Sequence, residues 1–230
     1  MAVLYVRSTD GNDADSGATW ALAKATLAGA FTAASAGDTI WVSDNHAETQ
    51  ASAMTLTGPG TAAAPCYVLC ANDAAEPPTA LATTATISTT VGSNMNFNGF
   101  NYFYGIIFQV GSGNNTVFIN FGTANTAWWN KFDSCSLRIV STHTGSAWAI
   151  GSSSNNSEDD QCLEMENTTV SFGSVSQSIA RVACQARWRN TASALLGSIP
   201  TTLFTTVTGS SGWIDVENVD LSAAGSGKNL

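Results

Sequence analysis

The sequence predicts an all-β protein, a β-helix with a helix packed at its N-terminal end, from three observations. The first is a recurring phrase: an apolar residue, an outward one, Asn or a small residue, two further positions, then a residue that is usually apolar. It reads Phe103-Tyr104-Gly105-Ile106-Ile107-Phe108, Phe132-Asp133-Ser134-Cys135-Ser136-Leu137 and Met165-Glu166-Asn167-Thr168-Thr169-Val170, then a weak copy Trp188-Arg189-Asn190-Thr191-Ala192-Ser193 and Val216-Glu217-Asn218-Val219-Asp220-Leu221. The copies start 29, 33, 23 and 28 residues apart, a loose period that fits stacked strand-based coils. The second is composition: 11% of residues are charged, while seven Trp and ten Phe supply a core that a disordered polar chain lacks. The third is an Ala-rich amphipathic stretch leading into a Thr-Ile-Trp-Val strand.

Element by element, residues 2–7 read as a strand, and the Asp-, Asn- and Gly-rich residues 8–18 as a loop. Residues 19–36 read as a helix whose Trp20, Leu27 and Phe31 form an apolar stripe, ended by Gly37 at the position a C-terminal glycine takes. Residues 38–43 begin the first coil. Further strands are predicted at 66–71, 85–90, 95–110, 116–122, 129–140, 147–151, 162–172, 179–189 and 212–221, with loops at 57–65, 111–115, 151–160 and 208–212. At ~4.8 Å per strand, about six or seven coils make a stack roughly 30 Å tall. The third position of the phrase calls for left-handed or tight-turn backbone between two strands, which suits Asn, Gly and Ser. Asn167, Asn190 and Asn218 are therefore expected to form a side-chain ladder inside a bend. The chain passes through residues 225–230 without a recognisable cap, so a bare last coil is expected to need cover by a partner or by further chain.

The order of strand, Asp/Gly-rich loop, "TW-A-AKATLAGAFTAA" helix and "AGDTIWV" strand, over about residues 3 to 48, resembles the N-terminal cap of right-handed parallel β-helix proteins of the pectin-lyase-like type, of the kind found in bacteriophage virion decoration and tailspike proteins. The resemblance implies a right-handed parallel β-helix with an N-terminal capping α-helix. It divides the chain into a cap, residues 1–48, and one continuous domain of coils, residues 49–230. That architecture hosts lyases, hydrolases, adhesins and virion proteins, so it implies fold more than activity.

The formal net charge is -9 and the pI about 4.4. No basic stripe is present, so nucleic acid is not an expected partner. No apolar stretch approaches the length of a membrane span or a signal sequence, and the expectation is a protein with no membrane contact, assembled in bacterial cytoplasm. The odd number of cysteines (Cys66, Cys70, Cys135, Cys162 and Cys184) at irregular spacing reads as small buried hydrophobes in a reduced compartment. Cys66 and Cys70 share a strand face but lie too far apart to bridge. With two histidines, a zinc site has little support, and no metal or cofactor is expected.

Carboxylates come first as candidates, because β-helix enzymes act on sugars with paired acids or with acid-bound calcium. Glu158, Asp159 and Asp160, with Glu164 and Glu166, form the densest acidic cluster and could serve in pairs on a glycosidic bond or bind Ca²⁺. Because they follow a Ser/Asn-rich loop, a solvated charge run is the favoured reading. Aligning the last copies places Glu166, Arg189 and Glu217 in one outward column and Glu164, Arg187 and Asp215 in a second. Acid, arginine, acid on successive coils reads as a stack of ion pairs. His46 and His143 lie in polar turns. Among the crowded aromatics, Tyr102, Tyr104 and Trp128 are expected outside, as anchors of a protein interface or as a platform for glycan. No phosphate loop, nucleophile elbow or Cys/His pairing occurs, and no catalytic residue is assigned.

The expected function is a bacteriophage virion structural protein: a head decoration or cement protein, a homotrimer on the capsid surface bound to the major capsid protein or another virion protein. The alternative is a tailspike or other β-helical protein that binds or degrades polysaccharide.

Overall fold

A computed structural model describes residues 1–121, 128–145, 149–151, 161–180, 184–205 and 213–229. Three sheets, every one all-parallel, carry nearly all the regular structure. Sheet A has 8 strands: Val3–Val6, Thr39–Ser43, Cys66–Ala71, Phe100–Tyr104, Trp128–Asp133, Gln161–Glu166, Cys184–Thr191 and Ile214–Val219. Sheets B and C have 6 strands each, B running from Ala47–Gln50 to Leu195–Gly197 and C from Met54–Thr57 to Phe204–Thr205. From Thr39 onward the chain visits A, B and C in rotation, each visit adding one strand to the same end of each sheet. These stacked sheets are consistent with a parallel β-helix.

Alternation creates the interior. In sheet A, Val68, Phe103, Phe132, Met165 and Trp188 are register neighbours on successive strands, and all are buried. The interior is richest at its middle, where Phe97 from sheet C, Phe103 and Phe132 from sheet A, and Phe108 from sheet B meet with centroids 5.0–5.6 Å apart. The rings adopt mainly edge-to-face contacts, as their quadrupoles favour.

Corners are set by backbone handedness. The third residue of the recurring phrase has positive φ in every copy: Gly105 at 73°, Ser134 at 53°, Asn167 at 48°, Asn190 at 51° and Asn218 at 52°. In the earlier copies this residue turns the chain from a strand of sheet A into one of sheet B. The same device divides what the sequence suggests is a single strand over residues 95–110. Gly99 (φ 92°) and Gly105 split it into Met95–Asn98, Phe100–Tyr104 and Ile106–Val110, one strand in each sheet.

The N-terminal region differs from the helix expected over 19–36. It holds a 3₁₀ turn, Trp20–Leu22, and a short α-helix, Leu27–Ala33. Between them Lys24 N–H donates to Tyr5 O and Arg7 N–H to Lys24 O, at 2.8 and 2.9 Å. A backbone committed to the strand at Val3–Val6 cannot also close helical hydrogen bonds. Thr26 then caps the α-helix, its hydroxyl accepting from Gly29 N–H. Leu27, Ala30 and Phe31 join the main core, whereas Trp20 packs with Tyr5 and Ala23 in a separate cluster on the outer side.

At the other end, where the sequence suggests no cap, the chain folds over the last coil. Ser222–Ala224 forms a 3₁₀ turn whose Ala224 packs on the core, and Asn229 bridges Thr202 in parallel.

Candidate functional site: the outer face of sheet A

The outward positions of sheet A form two straight columns. One runs Tyr67, Tyr102, Lys131, Glu164, Arg187, Asp215; the other runs Leu69, Tyr104, Asp133, Glu166, Arg189, Glu217. The register places Arg187 between Glu164 and Asp215, and Arg189 between Glu166 and Glu217, as the repeat alignment requires. The face thus divides into an aromatic block on early coils and a charged block on later ones.

In the aromatic block the rings of Tyr67 and Tyr102 lie 5.8 Å apart, and Lys131 Nζ stands 5.8 Å from the Tyr102 ring. The Tyr102 hydroxyl donates to Asp133 Oδ2 at 2.8 Å. Burial, and then that bond to a carboxylate, push its pKa upward, so it stays a neutral donor. Tyr102, Tyr104, Phe100, Trp128 and Trp129 are all half-buried. Alternation with buried Asn101 and Phe103 puts Tyr102 and Tyr104 outward as expected, but alternation with buried Asn130 and Phe132 puts Trp129 outward and leaves Trp128, expected outside, at an inward position of its strand. The Trp128 indole N–H finds no acceptor among the described residues.

In the charged block, salt bridges join Lys131 to Glu166 at 2.6 Å, Arg187 to Glu164 at 3.1 Å, and Arg189 to Asp215 and Glu217 at 2.9 and 3.4 Å. Two details differ from simple columns. Glu166 is taken by Lys131 of the preceding strand rather than by Arg189, and Arg189 reaches diagonally to Asp215. Arg187 also lies over the Trp213 ring, 5.1 Å from its centroid. All these groups are partly exposed, so each pair contributes ~0.2–1 kcal/mol. Arg187→Ala and Arg189→Ala are each expected to lower unfolding free energy by about 1 kcal/mol or less in urea titrations. A loss above roughly 2 kcal/mol would show that the arginines hold something other than exposed ion pairs.

The block encloses a cleft of ≈ 50 Å³ between Lys131, Glu164, Glu166, Arg187 and Arg189, far below the ~300 Å³ or more of a small-molecule pocket. A larger hollow of ≈ 330 Å³ lies beside sheet C, lined by Val175, Gln177 and a set of Ser and Thr hydroxyls with no titratable side chain. Among the described residues no three His, Cys, Asp or Glu side chains are grouped to hold a metal ion. Glu158, Asp159 and Asp160 lie outside the described residues.

The asparagine ladder differs from expectation. Asn218 donates to Asn190 Oδ1 at 3.3 Å, but Asn167 reaches Asp133 Oδ1 at 3.5 Å, and all three are exposed at the corner. A left-handed residue at a convex corner turns its side chain outward, so the rung lies outside the bend. The interior asparagines are Asn101 and Asn130, both fully buried, with Asn101 Nδ2 donating to Asn130 Oδ1 at 2.9 Å. Nothing in the recurring phrase marks them; the available signal was Asn at an inward position of two consecutive coils.

His46 is also not simply a polar turn residue. Its ring is fully buried, with Nε2 3.4 Å from Glu48 Oε2, while Glu48 accepts from Leu27 N–H at 3.0 Å. His143 faces Asn114 at 3.2 Å in an exposed turn. Cys66, Cys70 and Cys135 are buried free thiols, whereas the Cys162 and Cys184 side chains lie outside the described set. Burial raises all three pKa values, those of Cys66 and Cys135 to about 12. The thiolate is the nucleophile, so none of the three should react with an alkylating reagent in the native protein near pH 8. All three should react in denaturant, as peptide mass mapping would show. Rapid native labelling of Cys135 would contradict its burial.

No protein-family model, curated protein or solved structure matches the chain.

Proposed function

We propose that this chain is a non-enzymatic structural protein of a bacteriophage particle, a head decoration or cement protein that forms a homotrimer on the capsid surface. One observation carries the reading: on the outer face of sheet A each carboxylate is engaged by a neighbour, Glu164, Glu166, Asp215 and Glu217 by cations and Asp133 by the Tyr102 hydroxyl. Acid–base or nucleophilic work on a sugar needs two carboxyl groups converging on a space that holds the substrate. Here the acids face their own neighbours across a cleft too small for a sugar ring. Aromatic area beside neutralised charge is instead the make-up of a protein interface. Closed three-fold symmetry would let such a face satisfy itself around an axis, and binding across shell subunits would stabilise the particle.

The resemblance of the N-terminal motif to phage-encoded β-helices supports the virion setting, with the major capsid protein or another virion protein as partner. The right-handed sense of the coil, the capping role of the Leu27–Ala33 helix, and the division into a cap (1–48) and one coil domain (49–230) belong to the same proposal. The Tyr67–Tyr102 pair favours a second reading, a tailspike or other β-helical protein that binds or degrades polysaccharide, because tilted aromatic rings also stack on sugars.

Removing the protein should make heads more fragile to heat and osmotic shock without abolishing host recognition, and purified protein should leave host polysaccharide intact. Unchanged head stability together with glycan cleavage would replace the first reading by the second.

A further inference from the structure

A three-fold ring is heterologous: each copy offers one face to the next copy and a different face to the one before. With the outer face of sheet A as one of the two, unbalanced charge points to the other. On sheet A the cations Lys131, Arg187 and Arg189 are all paired, and they take up Glu164, Glu166, Asp215 and Glu217. Asp133 is the acid left over. Its half-buried carboxylate accepts from the Tyr102 and Ser134 hydroxyls at 2.8 and 3.0 Å, and among the described residues no cation forms an ion pair with it.

The outer face of sheet B holds the counterpart. Its outward positions alternate with Ile87, Phe108, Leu137 and Val170, all fully buried. One outward column runs Ser88, Gln109, Arg138, Ser171, and neither outward column contains an acid. Arg138 is half-buried, and its Nε donates to Ser136 Oγ at 3.0 Å. Among the described residues it is the one arginine with no carboxylate partner, since Arg7, Arg187 and Arg189 are all in ion pairs. The outward positions described on sheet C are Thr and Asn and carry no charge.

The unpaired acid and the unpaired arginine lie at one level of the stack. Asp133 ends the strand Trp128–Asp133, and Arg138 stands in Ser136–Ile139, the next strand of the same coil. They belong to different faces and make no ion pair within the chain. Rotation about an axis parallel to the stack keeps each coil at its height, so Arg138 of one copy is level with Asp133 of the next. The preceding coil matches as well, with Tyr102 and Tyr104 outward on sheet A and Ile107 outward on sheet B.

We propose that the outer face of sheet B receives the outer face of sheet A from a second copy of this chain, with Arg138 of one copy paired to Asp133 of the next. The inference rests on the homotrimer reading and names the two faces and the charge pair that close the ring. Arg138 and Asp133 then form a charge-assisted contact, while Ile107 covers the tyrosine rings one coil earlier. Reversing either charge sets like charges together across the interface.

Sedimentation velocity over a range of protein concentrations tests it with Arg138→Glu, Asp133→Arg and the double variant. Each single variant should weaken assembly about tenfold or more, and the double variant should return it to within about fivefold of wild type. The single variants move the net charge in opposite directions, so general self-repulsion would weaken only Arg138→Glu. If Asp133→Arg fails to fold, Asp133→Asn, which still accepts from Tyr102, should weaken assembly about threefold or more. A trimeric wild type unaffected by Arg138→Glu, strengthened by Asp133→Arg, or not regained in the double variant would overturn the face pairing and leave the homotrimer standing. A monomeric wild type would overturn the homotrimer itself, and the face pairing with it.

Discussion

Phe97→Ala is expected to lower the free energy of unfolding by about 3–5 kcal/mol, the range for removing a buried phenyl ring. Phe97 is fully buried and contacts Phe103, Phe108, Phe121 and Phe132 at centroid distances of 5.5, 5.0, 5.6 and 5.2 Å. Those partners come from all three sheets. The cavity left by alanine would be lined by rings held by strands on every side, so it could collapse only slightly, which places the cost at the upper end of the range. Lost edge-to-face contacts add to the transfer term. Against a total of ~5–15 kcal/mol for a domain, this one change would take a large share of the stability. Urea titration should show a lower midpoint with an unchanged slope. A loss below about 1 kcal/mol would mean that the interior does not close around this ring.

Gly105→Ala should be comparably severe for a different reason. Gly105 turns the chain from sheet A to sheet B with φ of 73°, and a Cβ there would lie 2.0 Å from the Ala82 carbonyl oxygen. Left-handed backbone costs a side-chain-bearing residue ~1–2 kcal/mol, and forcing an atom into a packed contact adds ~1–3 kcal/mol. The expected total is about 2–5 kcal/mol. Ser134 is the control, because it holds the same corner one coil later with a side chain already in place at φ 53°, so its replacement by Ala brings in neither term. Ser134→Ala should cost under about 1 kcal/mol, chiefly the bond from its hydroxyl to Asp133. A Gly105→Ala cost no larger than that of Ser134→Ala would show that neither left-handed backbone nor the Ala82 contact constrains the corner.

The contrast between these corners explains what was legible in the chain. Two-residue alternation and a residue suited to left-handed backbone at a constant place were enough to bring Glu164, Arg187 and Asp215 into one row, because a slip of one residue would turn every side chain to the wrong face. Extending the same alignment backward would have placed Lys131 beside Glu164, but register alone does not show the competition for Glu166, which depends on the diagonal reach of the Lys131 side chain. Helix propensity misled over residues 19–36, where alanines favour a helix but the Val3–Val6 strand claims the backbone of Lys24. Buried Asn101 and Asn130 were missed for the opposite reason, since a lone polar residue at an inward position gives no local sign of its partner, and only the alignment of two consecutive coils pairs them. The paired state of the acids depends on side-chain reach across neighbouring strands, so the outer face of sheet A was legible in its register but not in its pairing.

The mass of the purified protein in dilute solution tests the account most directly, because an interface on the aromatic block has to be filled for the proposed role. One chain is 23.8 kDa. Mass photometry or light scattering should find a single species of three times that mass, which persists on dilution. A monodisperse species at the mass of one chain, with Tyr67, Tyr102 and Tyr104 accessible to solvent probes and host polysaccharide degraded, would contradict the structural role.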